Sequence, residues 1–359
     1  MAKVPDEPGL SGPRRNEPEY EVIGGGMIDD LPRAHGGLNN SATRPSPVRS
    51  PFKAAAAAAW QDTRISFSSW RFWLACALGV VIAGGLAAAV AGWGQANGWF
   101  ESSVPSAIYL VMAAWLAIAA AVLGTVWGFR HSRGSIAALL LAGAIRGAAF
   151  AVISGVVLLV VGASVGGPLA VAGAAVVVVV LESALFGLIG AGSRACFAGA
   201  APGTALAAVL VAFLCIGNVA LTLMLLPGTT GMDQASVPVN VQRDDSGRIT
   251  AYECVGDLRP VEVAHTERAA WLAASNPALL LGSVAADLVP RDNDVAWVLS
   301  GLQWAADGPA REVPCLGGES SDGLAPTVPV ALTGLAVQVV VAALVAVPGR
   351  WLTSRRATS

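Results

Sequence analysis

The stretch RHSRGSIAALLLAGAIRGAAFAVISGVVLLVVGA, residues 130–163, decides how the chain crosses or follows a membrane. The twelve residues from Gly134 to Ile145 are almost all apolar or small. They are too few to cross a hydrocarbon core, which takes about 20 residues. Arg133 and Arg146 border this segment, and a longer apolar run begins at Arg146. The pattern predicts a short helix on the membrane surface at 134–145, followed directly by a membrane span.

The composition of the whole chain is also rich in apolar residues. Its 359 residues are 55% hydrophobic and 13% charged, with a mean hydropathy of +0.62. One soluble core of this length needs far less apolar material. The segments that are long enough to span lie at about 70–92, 105–128, 146–165, 168–191, 204–226 and 328–348. We therefore expect an all-α membrane protein, a six-transmembrane-helix bundle.

Basic residues predict the orientation of the bundle. Nine Lys and Arg residues precede the first apolar segment or open it, and others follow the second and fourth segments and the sixth. The short loops at 93–104 and 166–167 have none. The positive-inside rule then places both termini in the cytoplasm. The long connection at 227–327 becomes an extracytoplasmic region, and 328–359 becomes the sixth span with a basic cytoplasmic end.

The N-terminal region has two parts. Residues 1–52 are rich in proline and carry mixed charges without periodicity, which predicts a disordered cytoplasmic tail. The following stretch, KAAAAAAWQDTRISFSS at 53–69, has an alanine run that favours a helix. Its aromatic and basic residues suit a membrane surface. We expect an interfacial helix here, which opens a region of five spans at 53–226.

The outer region has the signals of a small α+β domain. VNVQRDDSGRITAYEC, at 239–254, alternates and turns as a hairpin does. HTERAAWLAASNPALLLGSVAADLVP, at 265–290, predicts two helices, with Asn276 as the N-cap and Pro277 in the first position of the second. NDVAWVLSGLQWAADG, at 293–308, predicts a third helix.

Five cysteines are present, and the predicted topology sorts them. Cys254 and Cys315 are the two in the outer region, and a pair in an oxidising compartment is most simply a structural disulfide. The other three fall in spans or in a cytoplasmic loop, where free thiols are expected.

Two polar residues within the spans are candidates for a transport path. Glu182 is the only acidic residue in the six predicted spans. A carboxylate in lipid is costly, so Glu182 should face the bundle interior or water. Two interpretations stay open, a place on a transport path and an ion pair with Arg146 on the neighbouring span. Asn218 in the fifth span either lines the same path or forms an interhelical hydrogen bond.

The sequence lacks the motifs of several enzyme classes. The two lysines, Lys3 and Lys53, do not follow glycine, so the chain has no phosphate-binding loop of the P-loop type. GASVG at 162–166 matches a nucleophile elbow as text, but it falls between two predicted membrane helices rather than between a strand and a helix. The three histidines are far apart, so no metal site is predicted, and nothing indicates nucleic-acid binding.

The predicted topology resembles that of ABC-2 type transporter permeases. These proteins have six spans, cytoplasmic termini, a short cytoplasmic helix between the second and third spans, and an outer region between the fifth and sixth. The segment at 265–290 is also similar to the TER-x-W-x-L-x-x-NPF-x-V-L-x-D-A motif of actinobacterial ABC permeases, although Ala278 stands where those relatives have an aromatic residue. The residues that match, with small shifts in spacing, are Thr266, Glu267, Arg268, Trp271, Leu272, Asn276 and Pro277.

The resemblance implies the transmembrane subunit of an ABC exporter in a bacterial plasma membrane. Such a subunit forms a homodimer or a heterodimer in lipid and has no cofactor of its own. A separate ATPase subunit, with ATP and magnesium, supplies the energy. The segment at 134–145 would be the coupling helix that contacts this ATPase, with its small residues in a groove of the partner. The residues of this coupling element are Ser135, Ile136, Ala138, Leu139 and Ala142 within the segment, with Arg133 and Arg146 at its borders.

A different class of protein also fits the sequence. It is a polytopic anchor that transports nothing and whose outer domain senses or scaffolds components of the cell envelope. The anchor accounts for the disulfide equally well, but it assigns no role to a cytoplasmic helix between two basic residues.

Overall fold

A computed structural model of the chain describes residues 51–98, 104–132, 134–243, 249–290, 296–309, 313–320 and 328–358. The predicted tail lies outside these ranges except for its last two residues, and Arg133 of the predicted coupling helix lies outside them too.

The described part is a helical bundle with one two-stranded sheet. The first five helices are α1 Pro51–Phe67, α2 Trp70–Ala96, α3 Val104–Arg130, α4 Ile136–Val165 and α5 Leu169–Cys196. A sixth long segment consists of α6 Ala200–Ala212, a π-helical turn Phe213–Gly217, α7 Asn218–Leu225 and a 3-10 turn Leu226–Thr229. The remaining elements are β1 Thr230–Arg243, β2 Ile249–Ala264, α8 Glu267–Ala274, α9 Pro277–Ala286, α10 Ala296–Asp307 and α11 Val330–Thr358.

Six of these segments are long and apolar enough to cross a membrane. They are Trp70–Ala96, Ser106–Arg130, Ile136–Val165, Leu169–Cys196, Ala200–Thr229 and Val330–Arg356. Each contains or largely covers one of the six apolar segments predicted from the sequence. The chain is thus a multi-pass membrane protein by the length and composition of its helices.

The prediction of a separate surface helix between the second and third spans is wrong. α4 runs without interruption from Ile136 to Val165, and Ser135 caps it by accepting a hydrogen bond from the Ala138 N–H at 3.2 Å. Arg146 therefore lies inside the helix, about three turns from its start. Its charge does not end the apolar segment, because the carboxylate of Asp62 on α1 neutralises it at 2.6 Å.

α1 is the helix expected at 53–69, and it packs against α4. Its buried face carries the small residues Ala55, Ala59 and Thr63. Arg146 of α4 reaches this helix near its C-terminal end, where its Nε donates to Ser66 Oγ at 3.0 Å. The location of α1 at a membrane surface stays a prediction.

Glycines allow α3 and α5 to pack backbone against backbone. A Cβ atom placed on Gly124 would lie 2.7 Å from the carbonyl oxygen of Ser183, and one on Gly128 would overlap the carbonyl of Gly187. A Cβ atom on Gly190 would likewise overlap the carbonyl of Thr125. Small residues permit this approach in membrane bundles, where lipid supplies no hydrophobic force between helices.

The hairpin and the disulfide predicted for the outer region are both confirmed. β1 and β2 pair antiparallel from Thr230 opposite Ala264 onward, and Cys254 is bonded to Cys315. The segment around Cys315 also hydrogen-bonds to β1, because Ser236 N–H donates to the Cys315 carbonyl at 3.2 Å. The disulfide thus fastens this segment to the hairpin. The location of the hairpin outside the membrane stays a prediction.

Replacement of Cys254 by serine should loosen this hairpin and leave the bundle intact. A disulfide stabilises by about 2–4 kcal/mol in the chain-entropy model. We expect about 2 kcal/mol, at the lower end, because strand pairing already constrains the same segment. Hydrogen exchange of the β1 and β2 amides should report this loss as faster local opening. Cys196→Ser, at a free thiol, is the control and should leave the exchange unchanged. Equal exchange in both variants would contradict the prediction.

Candidate functional site

The chain bends sharply between α8 and α9, at the Asn276-Pro277 pair where the sequence predicts the end of one helix and the start of the next. We call this bend the α8–α9 break. α8 ends at Ala274 and α9 begins at Pro277, and the two helices are bent by 106°. Asn276 caps α9, because its Oδ1 accepts from the N–H groups of Ala278 at 2.9 Å and Leu279 at 3.4 Å. The predicted N-cap and first-position proline are therefore confirmed.

α8 and α9 belong to the bundle and not to a separate domain, which corrects the predicted organisation of 227–327. Together they are apolar enough to form one broken span or a re-entrant loop. A Cβ atom on Gly334 of α11 would overlap the carbonyl of Ala274, so α8 and α11 touch closely. α9 is buried through Leu280, Leu281 and Ala285 and packs against α3 and α5. Burial of these apolar faces is the physical reason for their position.

Asn276 also joins the break to the π-helical turn in the fifth long segment. Its Nδ2 donates to the carbonyl of Cys215 at 2.7 Å and to that of Leu214 at 3.3 Å. A π-helical turn shifts the regular backbone bonding by one residue, and such turns are frequent at functional sites. The amide of Asn276 thus caps one helix and binds the irregular turn of another.

Asn218 contacts the same break from the end of the π-helical turn. Its Nδ2 donates to Ser275 Oγ at 3.0 Å, and its Oδ1 accepts from Asn276 Nδ2 at 3.3 Å. Ser275 Oγ in turn donates to the carbonyl of Leu272 at 2.7 Å. Of the two interpretations of Asn218, the interhelical hydrogen bond is confirmed, and a role in a path stays a prediction.

Gln338 on α11 links the break to α5. Its Nε2 donates to the carbonyl of Ser275 at 3.0 Å and to Glu182 Oε1 at 2.8 Å, and the side chain is fully buried. Sequence reasoning missed this residue. A signal was present, because Gln338 is a lone amide in the apolar part of the last span, and such residues act between helices.

Glu182 faces the interior, as expected for a carboxylate in a span. It is fully buried, and its Oε2 has no hydrogen-bond partner among the described residues. Of the two interpretations of Glu182, the ion pair with Arg146 is wrong, because that guanidinium binds Asp62 of α1 at 2.6 Å. Two long side chains on neighbouring spans can each find a nearer partner, and sequence spacing does not show which.

The residues predicted to contact an ATPase are mostly inside the molecule. Ala138, Leu139 and Ala142 are 6%, 9% and 3% exposed, whereas Ser135 and Ile136 lie at the exposed or half-buried start of α4. The predicted groove contact at this face is therefore wrong. Within the same segment, Gly143 lets α4 approach α5 of the same chain, because a Cβ atom there would lie 2.9 Å from Ala184 Cα.

The buried polar cluster, defined as Glu182, Asn218, Ser275, Asn276 and Gln338, is the candidate site. It connects α5, α11, the π-helical turn and the α8–α9 break through side-chain hydrogen bonds. It contains one ionisable carboxylate and otherwise neutral amides and a hydroxyl. Among the described residues no group of His, Cys, Asp and Glu is arranged to hold a metal ion.

No protein-family model matches the chain, and no curated protein or solved structure is significantly similar to it. The functional conclusion therefore rests on the geometry of this chain.

Proposed function

We propose that the chain is the transmembrane subunit of an ABC-type exporter, which forms the substrate path and couples to a separate ATPase subunit. The buried polar cluster is the observation that carries this proposal. Polar and ionisable side chains within spans are costly, and they commonly mark ion or substrate pathways. Interrupted helices at membrane depth are tolerated where protein or a cavity surrounds them, and transporters place their sites there.

The connections within the cluster support a moving path. Asn276 binds the π-helical turn and also caps α9, so a displacement of α9 changes the bonds of the fifth long segment. Gln338 extends the same connection to α5 and α11. The cluster is buried, and hydrogen bonds join all five of its residues. In this proposal it is the closed state of the path, and opening separates the α8–α9 break from the spans.

The proposal assigns the coupling to the ATPase to a different element from the segment at 134–145. The face of 134–145 that was expected to enter a partner groove is buried, so α1 is the better candidate. α1 is attached to the third span by the Arg146–Asp62 ion pair, which transmits a push on α1 to α4. Its other side is free of this contact and exposes Trp60 and Ile65. Exposed aromatic and apolar side chains are typical anchors of a protein interface.

Labelling of a cysteine at the break tests this proposal without knowledge of the substrate. The tagged chain is purified from its native membranes, and the co-purifying proteins are identified by mass spectrometry. We expect an ATPase with a P-loop. Ser275→Cys, with Cys76, Cys196 and Cys215 replaced by alanine, should react slowly with a water-soluble thiol reagent. It should react faster when a non-hydrolysable ATP analogue is added, because the break opens.

Ser154→Cys is the matched control, since Ser154 on α4 is equally buried but lies outside the cluster. It should stay unreactive under both conditions. If no ATPase co-purifies and the labelling rate of Ser275→Cys is the same with and without the ATP analogue, the exporter proposal is refuted. The envelope-sensing anchor is then the better interpretation. An ATPase partner with unchanged labelling would contradict the location of the path.

A further inference from the structure

The contact between Glu182 and Gln338 leaves two acceptor atoms without donors. Gln338 Nε2 donates to Glu182 Oε1 at 2.8 Å, but Glu182 Oε2 and Gln338 Oε1 are both buried and have no hydrogen-bond partner among the described residues. Buried polar atoms in native proteins are nearly always bonded, so two such atoms in one contacting pair need an explanation.

The two acceptors beside the Gln338 side chain fix which end of its amide is the nitrogen. Its nitrogen binds two acceptors, Glu182 Oε1 and the carbonyl of Ser275 at 3.0 Å. A flipped amide would place its oxygen against both of these acceptors. The unpartnered atom of Gln338 is therefore its oxygen, and the atom that the site lacks is a hydrogen-bond donor.

Charged groups do not neutralise Glu182 within the described residues. Arg146 on α4 is bound to Asp62 of α1, and α9 carries no acid or base. The acids and bases of α3, α8 and α11 lie toward the ends of those helices. α6 carries no charged residue, and the titratable side chain of the π-helical turn is the Cys215 thiol. An ionised Glu182 would thus be a buried charge without a counter-ion, which is strongly unfavourable.

We propose that Glu182 is a proton-binding site and is a neutral acid in this conformation. A proton on Oε2 makes this atom a donor to Gln338 Oε1, so one hydrogen satisfies both unpartnered atoms. The two side chains then form a carboxylic acid–amide pair with two hydrogen bonds, one in each direction. The same proton removes the buried charge. A metal cation would meet the Nε2–H group of Gln338 in the same contact, which disfavours it.

The proton ties three elements together. The acid–amide pair joins α5 to α11, and the bond from Gln338 to the Ser275 carbonyl joins both to the break. When the break opens and admits water, the O–H bond of Glu182 breaks and its proton passes to water. The carboxylate that remains is hydrated and no longer pairs with Gln338 Oε1. The release step rests on the opening of the break in the proposed function, whereas the neutral acid in this conformation depends neither on that opening nor on an ATPase partner.

Infrared spectroscopy of the purified protein in lipid nanodiscs tests the proposal. At neutral pH, exposed carboxylates are ionised and have no acid C=O stretch. We expect the wild type to show this band, with the usual downshift in heavy water, and Glu182→Gln to lose it. Glu319→Gln, at an exposed acid, is the control and should keep it. If Glu182→Gln instead loses intensity from the carboxylate bands, Glu182 is ionised and the proposal is overturned.

Two further measurements guard against a folding defect. The Gln side chain in Glu182→Gln can both accept from and donate to Gln338, as the protonated acid does, so its melting temperature should be close to that of the wild type. The wild type should lose thermal stability as pH rises, because the folded state binds a proton that the unfolded chain releases, and Glu182→Gln should not. A wild type without this pH dependence would overturn the proposal.

The pairing with Gln338 has its own infrared test. In Gln338→Leu the acid C=O band should shift to higher frequency, and an unshifted band would overturn the pairing.

Discussion

Asp62→Ala is expected to lower the free energy of unfolding by about 3–5 kcal/mol, because it leaves a buried charge without its partner. Arg146 is 2% exposed, and its Nη2 lies 2.6 Å from Asp62 Oδ2. Ser66 Oγ also accepts from its Nε, but a hydroxyl does not replace a counter-charge. Denaturant titration in mixed micelles measures the change.

Removal of both charges should recover most of this loss. Asp62→Ala combined with Arg146→Met leaves an apolar side chain of similar length where the guanidinium was, and such exchanges of a buried pair are often neutral. Arg64→Ala is the control on the same helix, because Arg64 is exposed and its replacement should cost less than about 0.5 kcal/mol. If Asp62→Ala behaves like Arg64→Ala, α1 is not attached to α4 by this ion pair.

Gly128→Ala is expected to destabilise the bundle by about 3 kcal/mol, at the upper end for overpacking. The added methyl group would overlap the carbonyl of Gly187 on α5. The obstacle is backbone and not a flexible side chain, so α3 and α5 must separate to make room. Their separation also weakens the neighbouring contact between Gly124 and Ser183. The melting temperature in detergent and the yield of monodisperse protein both report the effect.

Gly85→Ala on α2 is the matched control, because a Cβ atom there has nothing within 4 Å. The same substitution should be neutral or slightly stabilising there, since alanine favours a helix over glycine by about 1 kcal/mol. A loss of the same size at both positions would show that α3 and α5 do not pack as closely as described.

Local signals in the sequence predicted a large part of the fold. The length and hydropathy of the six long helices, the helix at 53–69 and the β hairpin all follow from patterns within each segment. The break before Pro277 follows from a cap and a proline, which act on their immediate neighbours. The disulfide followed from two cysteines that a predicted topology separated from the other three. Each of these predictions requires only the residues near one another in the sequence or the number of cysteines in the outer region.

The candidate site was predicted only in part. Glu182 and Asn218 stood out because polar groups are rare in spans, and both are in the buried polar cluster. Gln338 was missed, although it supplies the contact that leaves Glu182 with one unpartnered oxygen. The sequence shows that a buried carboxylate needs a partner, but it does not show that the partner is 156 residues away on the last span.

The sequence by itself determined which segments are helical, which are apolar enough for a membrane and where one helix pair breaks. These are properties of local chemistry, because backbone bonding and transfer from water act residue by residue. Only the tertiary structure decided that 134–145 is part of the third span, that Arg146 binds Asp62 and that α8 and α9 enter the bundle. Each of these depends on which distant face offers the best packing or the nearest opposite charge, and that choice is made among all segments at once.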